Sequence, residues 1–493
     1  MQAISKYIPY IEKYFGRTEY FAVFLISLGY VFLHAFLLLH GFEYLFLAPI
    51  GMAILYLAFF HQDRLMLYLA FLVPFSVPLT YFSGKLPVNL SLPTEPILIL
   101  LMILLYMRVL IEKRFDKSIL VHPVSLAIYF YLCWMLLTSI TSEMPLVSFK
   151  FLIAKLWFIS VFYFLAIQLF VRYKNIVRYG MYYTAGLALV AIYAFTQLAA
   201  KGITSQHVAS KVVRPFFNDH TDYAAALAMI LVFVTGMFFI RRYKVSLPVK
   251  SLYLGISLSI AVALAFSYAR AAWLSVLVAI GFYFGFWLKV RLRVMFLILG
   301  TLIALFFTFR TDIIIALERN KQDSHKDFSR HISSITNIST DASNRERLNR
   351  WACAIRMFKE RPVWGWGPGT YQFQYAPFQK RSEMTIISTR RGDVGNAHSE
   401  YLGPLAEQGI LGTVAFLLII ITTMATASRL YFRAKRRKVR LMALVLLLSL
   451  ITYYVHGIMN NFLDADKLSA LFWGFTAMIV ALDVYHTPSL KKL

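Results

Sequence analysis

Few residues of this chain are of a type and spacing that could do chemistry. In NAHSEYLGPLAEQGILG, residues 396–412, a histidine, a glutamate and a tyrosine (His398, Glu400, Tyr401) stand at the edge of an apolar run. An imidazole with an ordinary pKa of ~6.5 can take a proton from a hydroxyl near neutral pH, which makes His398 a candidate general base. The plainer reading of His398 is a surface histidine at the start of a helix over 397–408 that Gly409 ends, and Glu400 and Glu407 read as solvated or helix-start acids. Two arginines offer a second chemistry. Arg214 precedes an apolar run in KVVRPFFNDHTDYAAAL, and Arg270 separates two apolar runs in AFSYARAAWLS. An arginine held at mid-membrane costs roughly 2.5–3.5 kcal/mol unless it is paired or reaches the surface. Asp219 and Asp222 follow Arg214, whereas no acid is close in sequence to Arg270. A ligand phosphate held through two parallel hydrogen bonds is one partner for such guanidinium groups, and lipid headgroups reached by snorkelling are the other.

Further candidates carry less information. Lys155, placed a turn into an apolar run, is a second phosphate contact or a snorkelling lysine. Trp364 and Trp366 flank a glycine-rich turn, GWGPGTYQ (365–372), and either stack on sugar rings or anchor the loop at the membrane interface. Asp464-Ala465-Asp466 has the DxD spacing of metal-dependent sugar transferases, but its short loop lacks the nucleotide-binding domain such a motif serves. The HExxH, GxxxxGK[ST] and G-x-S-x-G patterns are absent, which leaves zinc protease, nucleotide hydrolase and esterase readings without support.

The elements that must position these groups are membrane helices. Of 493 residues, 59% are hydrophobic and 15% charged, far more apolar than a soluble domain. Apolar segments near 19–39, 42–60, 65–82, 96–111, 123–141, 151–171, 180–199, 222–240, 251–269, 271–288, 293–309, 409–427, 441–458 and 468–484 predict an all-α polytopic membrane protein with about 12–14 spans. The first of them lacks a small-residue cleavage site and reads as a retained span. The net charge of +26 is placed in short loops between spans, as residues that set orientation are, and points away from nucleic acid. Lys6, Lys13, Arg17, Lys113, Arg114, Lys117, Arg172, Lys174, Arg178, Arg241, Arg242, Lys244, Lys289, Arg291, Arg293, the RLYFRAKRRKVR stretch at 429–440 and the C-terminal lysines then fall on the cytoplasmic side. Residues 200–221, Arg270 and the long segment 310–408 fall outside. The chain divides accordingly into spans over 1–309, a large outer loop over 310–408 and closing spans over 409–493. A connection of nearly a hundred residues is a functional element more often than a linker. Within it, 341–362 predicts a helix begun by a Ser343/Glu346 capping box and stopped by Pro362, while 380–395 has loop composition. Cys133 lies in an apolar run, so no disulfide with Cys353 is expected.

Four stretches of this sequence resemble the O-antigen ligase/polymerase superfamily of bacterial inner-membrane glycan transferases. SYARAAWLS (267–275) resembles the family's T/S-x-S-R-G-A-W segment. RLNRWACAIRMFKERPVWGWGPGTYQ (347–372) resembles its R-L-x-x-W helix followed by P-x-x-G-x-G-P-G. Residues 396–412 resemble N-P-H-N-x-Y-L-x-x-L-A-E-x-G-x-x-G, and RPFFNDHTDYAAAL (214–227) more loosely resembles G-T-F-x-N-P-N. The resemblance implies transfer of a glycan from an undecaprenyl-diphosphate-linked donor to an acceptor hydroxyl on the periplasmic face, without metal or nucleotide cofactor and with inversion. It implies Arg214 and Arg270 on the diphosphate, His398 on the acceptor hydroxyl and Arg347 as a further anion or sugar contact; Lys155, Asn396, Tyr401 and His220 are taken beside them as substrate contacts. Ala397 replaces the family's proline and Ser399 its second asparagine, and Asp219-His220 stands where Pro-Asn is usual, which leaves the acceptor open and makes His220 a reserve base. Ligation to lipid A core, extension of another lipid-linked glycan and transfer to a protein serine or threonine all fit one such site. A lipid-linked glycan transporter is the rival from another class, but it calls for ionisable residues deep in the spans.

Overall fold

The computed structural model describes residues 17–41, 44–82, 90–112, 115–203, 206–241, 246–308, 342–385, 388 and 395–487. Expectations resting on Lys6, Lys13, Lys113, Arg114, Arg242, Lys244 and the C-terminal lysines, on residues 310–341 and on most of 386–394 lie outside the described residues. The chain forms two compact units, Met1–Leu65 and Met66–Leu493. The first holds the helices Arg17–Leu39 and Leu47–Phe60, and the Tyr30 hydroxyl of the former donates to Leu45 O, just before the latter, at 2.9 Å.

The protein is an all-α polytopic membrane protein, with 11 helices long and apolar enough to cross a bilayer among the described residues. Of the other expected spans, Leu47–Phe60 is a 14-residue helix and Leu292–Thr308 a 17-residue one. The expected span at 65–82 is not one helix. Gln62–Leu72 runs into a 3-10 turn at Val73–Phe75, and Val77 and Pro78 then pair antiparallel with Leu92 and Ser91. Pro74 and Pro78 supply no amide hydrogens, so the helical ladder cannot continue past them. The Lys467 ammonium donates to Ser76 Oγ at 2.7 Å and holds the turn. Both cysteines are free.

In the second unit the helices Arg437–His456 and Asp466–Tyr485 are apolar on every side and buried over 83% and 89% of their spans, which places them at the centre. Pro123–Ile140, Pro145–Ile159 with its π-helical continuation Ser160–Leu165, Tyr173–Lys201, His220–Arg241, Arg270–Trp287 and Leu402–Arg433 pack around them. Proline at the first turn starts the helices at Pro123 and Pro145, where its missing amide hydrogen costs nothing. Leucines such as Leu258 and Leu277 on the outer helices are exposed, as befits surfaces that meet lipid.

Side-chain bonds sort the loops of this unit onto two ends. At one end Tyr173 OH donates to Lys438 O at 3.3 Å, and Arg429 and His122 both reach Asp483. The basic 429–440 stretch is at this end. At the other, Tyr268 OH donates to Ile203 O at 3.2 Å, Ser148 Oγ to Pro368 O at 2.9 Å and Lys155 Nζ to Leu463 O at 2.7 Å. Arg214, Arg270 and His398 all lie at this second end, away from the basic stretch, which is the distribution that loop charge asymmetry requires.

Candidate functional site

The site is built around a break in one helix. Leu402–Arg433 contains Gly409 at φ 68°, ψ −167°, a conformation for which only glycine is suited. The break frees carbonyls that a continuous helix would use, and a buried carbonyl needs a donor. Donors arrive from the glycine-rich turn: Trp366 N–H on Ala406 O at 3.2 Å and Gly367 N–H on Glu407 O at 2.7 Å. The Trp134 indole takes Gln408 O at 2.8 Å, and Ile410 N–H closes the loop on Pro362 O at 2.9 Å. Gly365 and Gly367 have φ of 66° and 111°, and a Cβ on either would strike Glu407 or Ser142. As expected, Gly409 ends the short helix before it; a second helix continues beyond the break to Arg433, and the carbonyls of Ala406, Glu407 and Gln408 anchor the loop above.

That anchoring carries the helix Ala342–Glu360. Glu346, Asn349, Arg350, Cys353, Ala354 and Met357 are buried on it at helical spacing, packed with Tyr371, Tyr375, Ala397 and Ala406. The side chain of Ser343, on which the expected capping box rests, lies outside the described residues. The Glu346 carboxylate accepts from Arg350 Nε at 2.8 Å and Thr385 Oγ1 at 3.0 Å, and also from Ser388 Oγ. Burial alone would raise this carboxyl, and the bonds from Ser388, Arg350 and Thr385 more than offset it and hold it below the usual range. Arg350 also stacks on Tyr375, 4.0 Å from the ring centre. Trp351, one turn after Arg347 on the same face, donates its indole N–H to His398 O at 3.3 Å.

The segment 396–401 bends and turns without forming a helix, which starts only at Leu402. His398 has φ 49°, a left-handed backbone that side chains other than glycine rarely adopt, and this prevents the helix from starting at 397. Asn396 Oδ1 accepts the His398 N–H at 3.1 Å, and Ser399 Oγ accepts those of Tyr401 and Leu402 at 3.3 Å each. The His398 ring is half-buried. Burial first, then the charges of Arg347 and Arg350, push its pKa down to about 4, against the opposite pull of Asp219 and Glu346. The imidazole is therefore neutral at neutral pH, the form that accepts a proton.

Glu400 and Glu407 are buried acids, contrary to the expectation that they are solvated. One oxygen of Glu400 accepts from Tyr453 OH at 2.5 Å, Phe462 N at 2.7 Å and Leu463 N at 2.9 Å, while its own N–H donates to Gly457 O at 2.8 Å. Burial raises its carboxyl above the usual range, with Lys155 pulling the other way. Glu407 accepts the Tyr371 N–H at 2.9 Å. These acids look polar and exposed in the sequence because the partner backbone groups, at 371 and 462–463, are far away along the chain.

The structure brings His398, Arg347, Asp219 and His220 into one electrostatic neighbourhood, since Arg347 and Asp219 both act on the two imidazoles. Arg214, in the same loop as Asp219, is exposed and donates from Nε to Asn218 O at 3.1 Å. Arg270 is half-buried at the start of its helix, two residues after Tyr268, which has a left-handed φ of 54° and bonds to Ile203. It shares the end of the bundle with His398. Tyr401 OH donates to Tyr454 O at 2.8 Å. Lys155 is deeper than expected, almost three turns into a helix that starts at Pro145, and is paired with Asp464 at 2.7 Å. The DxD acids are thus engaged within the protein, Asp464 by Lys155 and Asp466 by Thr94 and Lys467. Arg350, Trp351 and Asp219 were missed as parts of the site. Helical periodicity points Arg350 into the loop's own core, and nothing local links Asp219 to residue 398. Trp364 stacks on Trp134 with ring centres 5.2 Å apart, while Trp366 packs on Phe378 and lies under Arg361.

Residues 254–417, a third of the chain, match the O-Antigen ligase family. The match includes the Arg270, Arg347–Gln372 and His398 stretches and supports the O-antigen ligase/polymerase superfamily, and with it a glycosyltransferase role of the O-antigen ligase kind. No curated protein matches the chain.

Proposed function

Taking the O-antigen ligase match as premise, we propose that this protein is a membrane glycosyltransferase acting on an undecaprenyl-diphosphate-linked glycan at the periplasmic face of the bacterial inner membrane. The acceptor hydroxyl loses its proton to the neutral imidazole of His398, and its oxygen bonds to the anomeric carbon from the side opposite the diphosphate. The bond from that carbon to the diphosphate oxygen breaks, the configuration inverts, and undecaprenyl diphosphate leaves. Arg214 and Arg270 meet the charge that builds on the leaving group, and Arg347 contacts the donor near the reacting carbon. Asn396, Tyr401 and His220 frame the acceptor side, and Lys155 supports the site from beneath through Asp464 and the Glu400 loop. No metal takes part. Lipid A core is the acceptor favoured, ahead of a second lipid-linked glycan or a protein hydroxyl.

The observation that carries this reading is the convergence at His398. An unprotonated imidazole on a strained backbone sits where the helix bearing Arg347 and the loop bearing Asp219 meet. Such a base contributes ~10²–10⁴ in rate, and preorganised cationic groups on a leaving oxyanion contribute on the order of 10²–10³. The test is transfer in reconstituted membranes with supplied lipid-linked donor and each of the three acceptors. His398→Ala and Arg270→Ala are expected to abolish product. Full activity of either variant removes that residue from the mechanism, and movement of the donor across vesicles without transfer replaces the enzyme by a transporter.

A further inference from the structure

A third imidazole at this end of the bundle, beside His398 and His220, has no place in the reading above. His456 is the last residue of the Arg437–His456 helix and is 1% exposed. Its neighbours are bonded to the His398 segment: Gly457 O accepts the Glu400 N–H at 2.8 Å, and Tyr454 O accepts the Tyr401 hydroxyl at 2.8 Å. Arg347 and Asp219 lie within electrostatic reach of His456, as they do of His398. The two rings, carried on different elements, therefore feel the same two charges. The His456 ring lies with Nε2 3.1 Å from the amide nitrogen of Asn460. An amide nitrogen only donates, so Nε2 is the acceptor and the ring proton is on Nδ1. That Nδ1 is buried and has no hydrogen-bond partner among the described residues. Buried polar groups in folded proteins are nearly always satisfied, so an orphaned donor beside a site asks for an acceptor that binding supplies. His220, on the helix packed along this one, repeats the pattern with its own buried and unpartnered Nδ1.

We propose that His456 is a ligand-binding residue of this site, donating a hydrogen bond from Nδ1 to an oxygen of the phosphorylated glycan donor. The acceptor is an oxygen of the diphosphate or of the first sugar, and the nearby positive charge of Arg347 favours the diphosphate. The inference rests on the donor assigned above and adds a contact on the transmembrane side of the site, opposite the outer loop.

Two substitutions separate ligand binding from support of the fold. His456→Asn puts an amide nitrogen near the Nδ1 position and loses the Asn460 contact. His456→Gln puts its amide near the Nε2 position and loses the Nδ1 donor. Each protein, in nanodiscs, is titrated with undecaprenyl diphosphate, with the glycan-bearing donor and with undecaprenol, and the ligand-free melting midpoint is recorded. His456→Gln is expected to bind the donor about ten- to a hundred-fold more weakly, while His456→Asn stays within about three-fold of the parent. In turnover the Gln variant raises KM for the donor by the same factor. Loss with undecaprenyl diphosphate alone makes the diphosphate the partner, and loss only with the glycan-bearing donor makes it the sugar; both support the inference. Equal binding by all three proteins overturns it. So does weakening in the Asn variant equal to that in the Gln variant, or a matching loss toward undecaprenol, since these report support of the fold. Wild-type protein that binds the diphosphate lipids no better than undecaprenol refutes the assigned donor itself, and this inference with it.

Discussion

Replacing Arg347 by glutamine should move the acid limb of the pH–rate profile upward. His398 is depressed to about 4, with burial the largest cause and Arg347 the next, ahead of Arg350. For a base that must be unprotonated, activity is retained above its pKa and lost as pH falls through it. Wild-type enzyme should therefore keep about nine-tenths of its kcat/KM at pH 5, where an imidazole with an ordinary pKa of ~6.5 would keep only about 3%. Removing one unit charge from a partly buried neighbourhood is worth on the order of 1.4 kcal/mol, or about one pH unit. The limb of Arg347→Gln then lies near 5, with about half of that variant's own plateau left at pH 5. Arg347 is also assigned to the donor, so the plateau falls for a separate reason, and the position of the limb is the informative quantity. The assay is initial transfer rate against pH between 4.5 and about 7.5 in nanodiscs, with lipid-linked donor below KM. A wild-type limb near 6.5, or a limb unmoved by the substitution, would refute the assignment of His398 as a base tuned by this arginine.

Other perturbations follow from the anchoring of the loop. Glu400→Ala leaves Tyr453 OH and Leu463 N without their acceptor, and Phe462 N with only its 3.2 Å bond to Tyr453 OH; at about 1–3 kcal/mol per orphaned donor the thermal midpoint in detergent should drop sharply, whereas Glu400→Gln, which keeps an acceptor oxygen, should lose far less. Equal midpoints for the two would show that the acceptor is not what matters. Gly409→Ala drives a Cβ into Val363 O on a backbone with φ 68°; roughly 1–3 kcal/mol of backbone strain plus that clash should separate the kink from the glycine turn and abolish transfer, and a folded, fully active variant would show that the kink is dispensable.

Membrane class, the helical character of the chain and the placement of basic loops were legible from the sequence, because the bilayer imposes its thickness and its charge asymmetry on local composition. Apolar length misled at 65–82, where Pro74 and Pro78 intervene, since hydropathy is blind to a missing amide hydrogen. The chemical types at the site were legible too: a histidine and several arginines stand out in a chain this apolar. Their surroundings were not. Glu400 and Glu407 read as surface acids, yet one is held by backbone at 462–463 and the other by backbone at 371. Lys155 read as a candidate for phosphate and is joined to Asp464, 309 residues on. Gly409 was legible as the end of a helix, but not the donors at 366 and 367 that take up the carbonyls it frees. Composition and spacing report what a residue prefers in isolation, which is enough to choose helix and membrane. A buried charge or a freed carbonyl is stable only through a partner elsewhere in the chain, and only folding decides which partner that is.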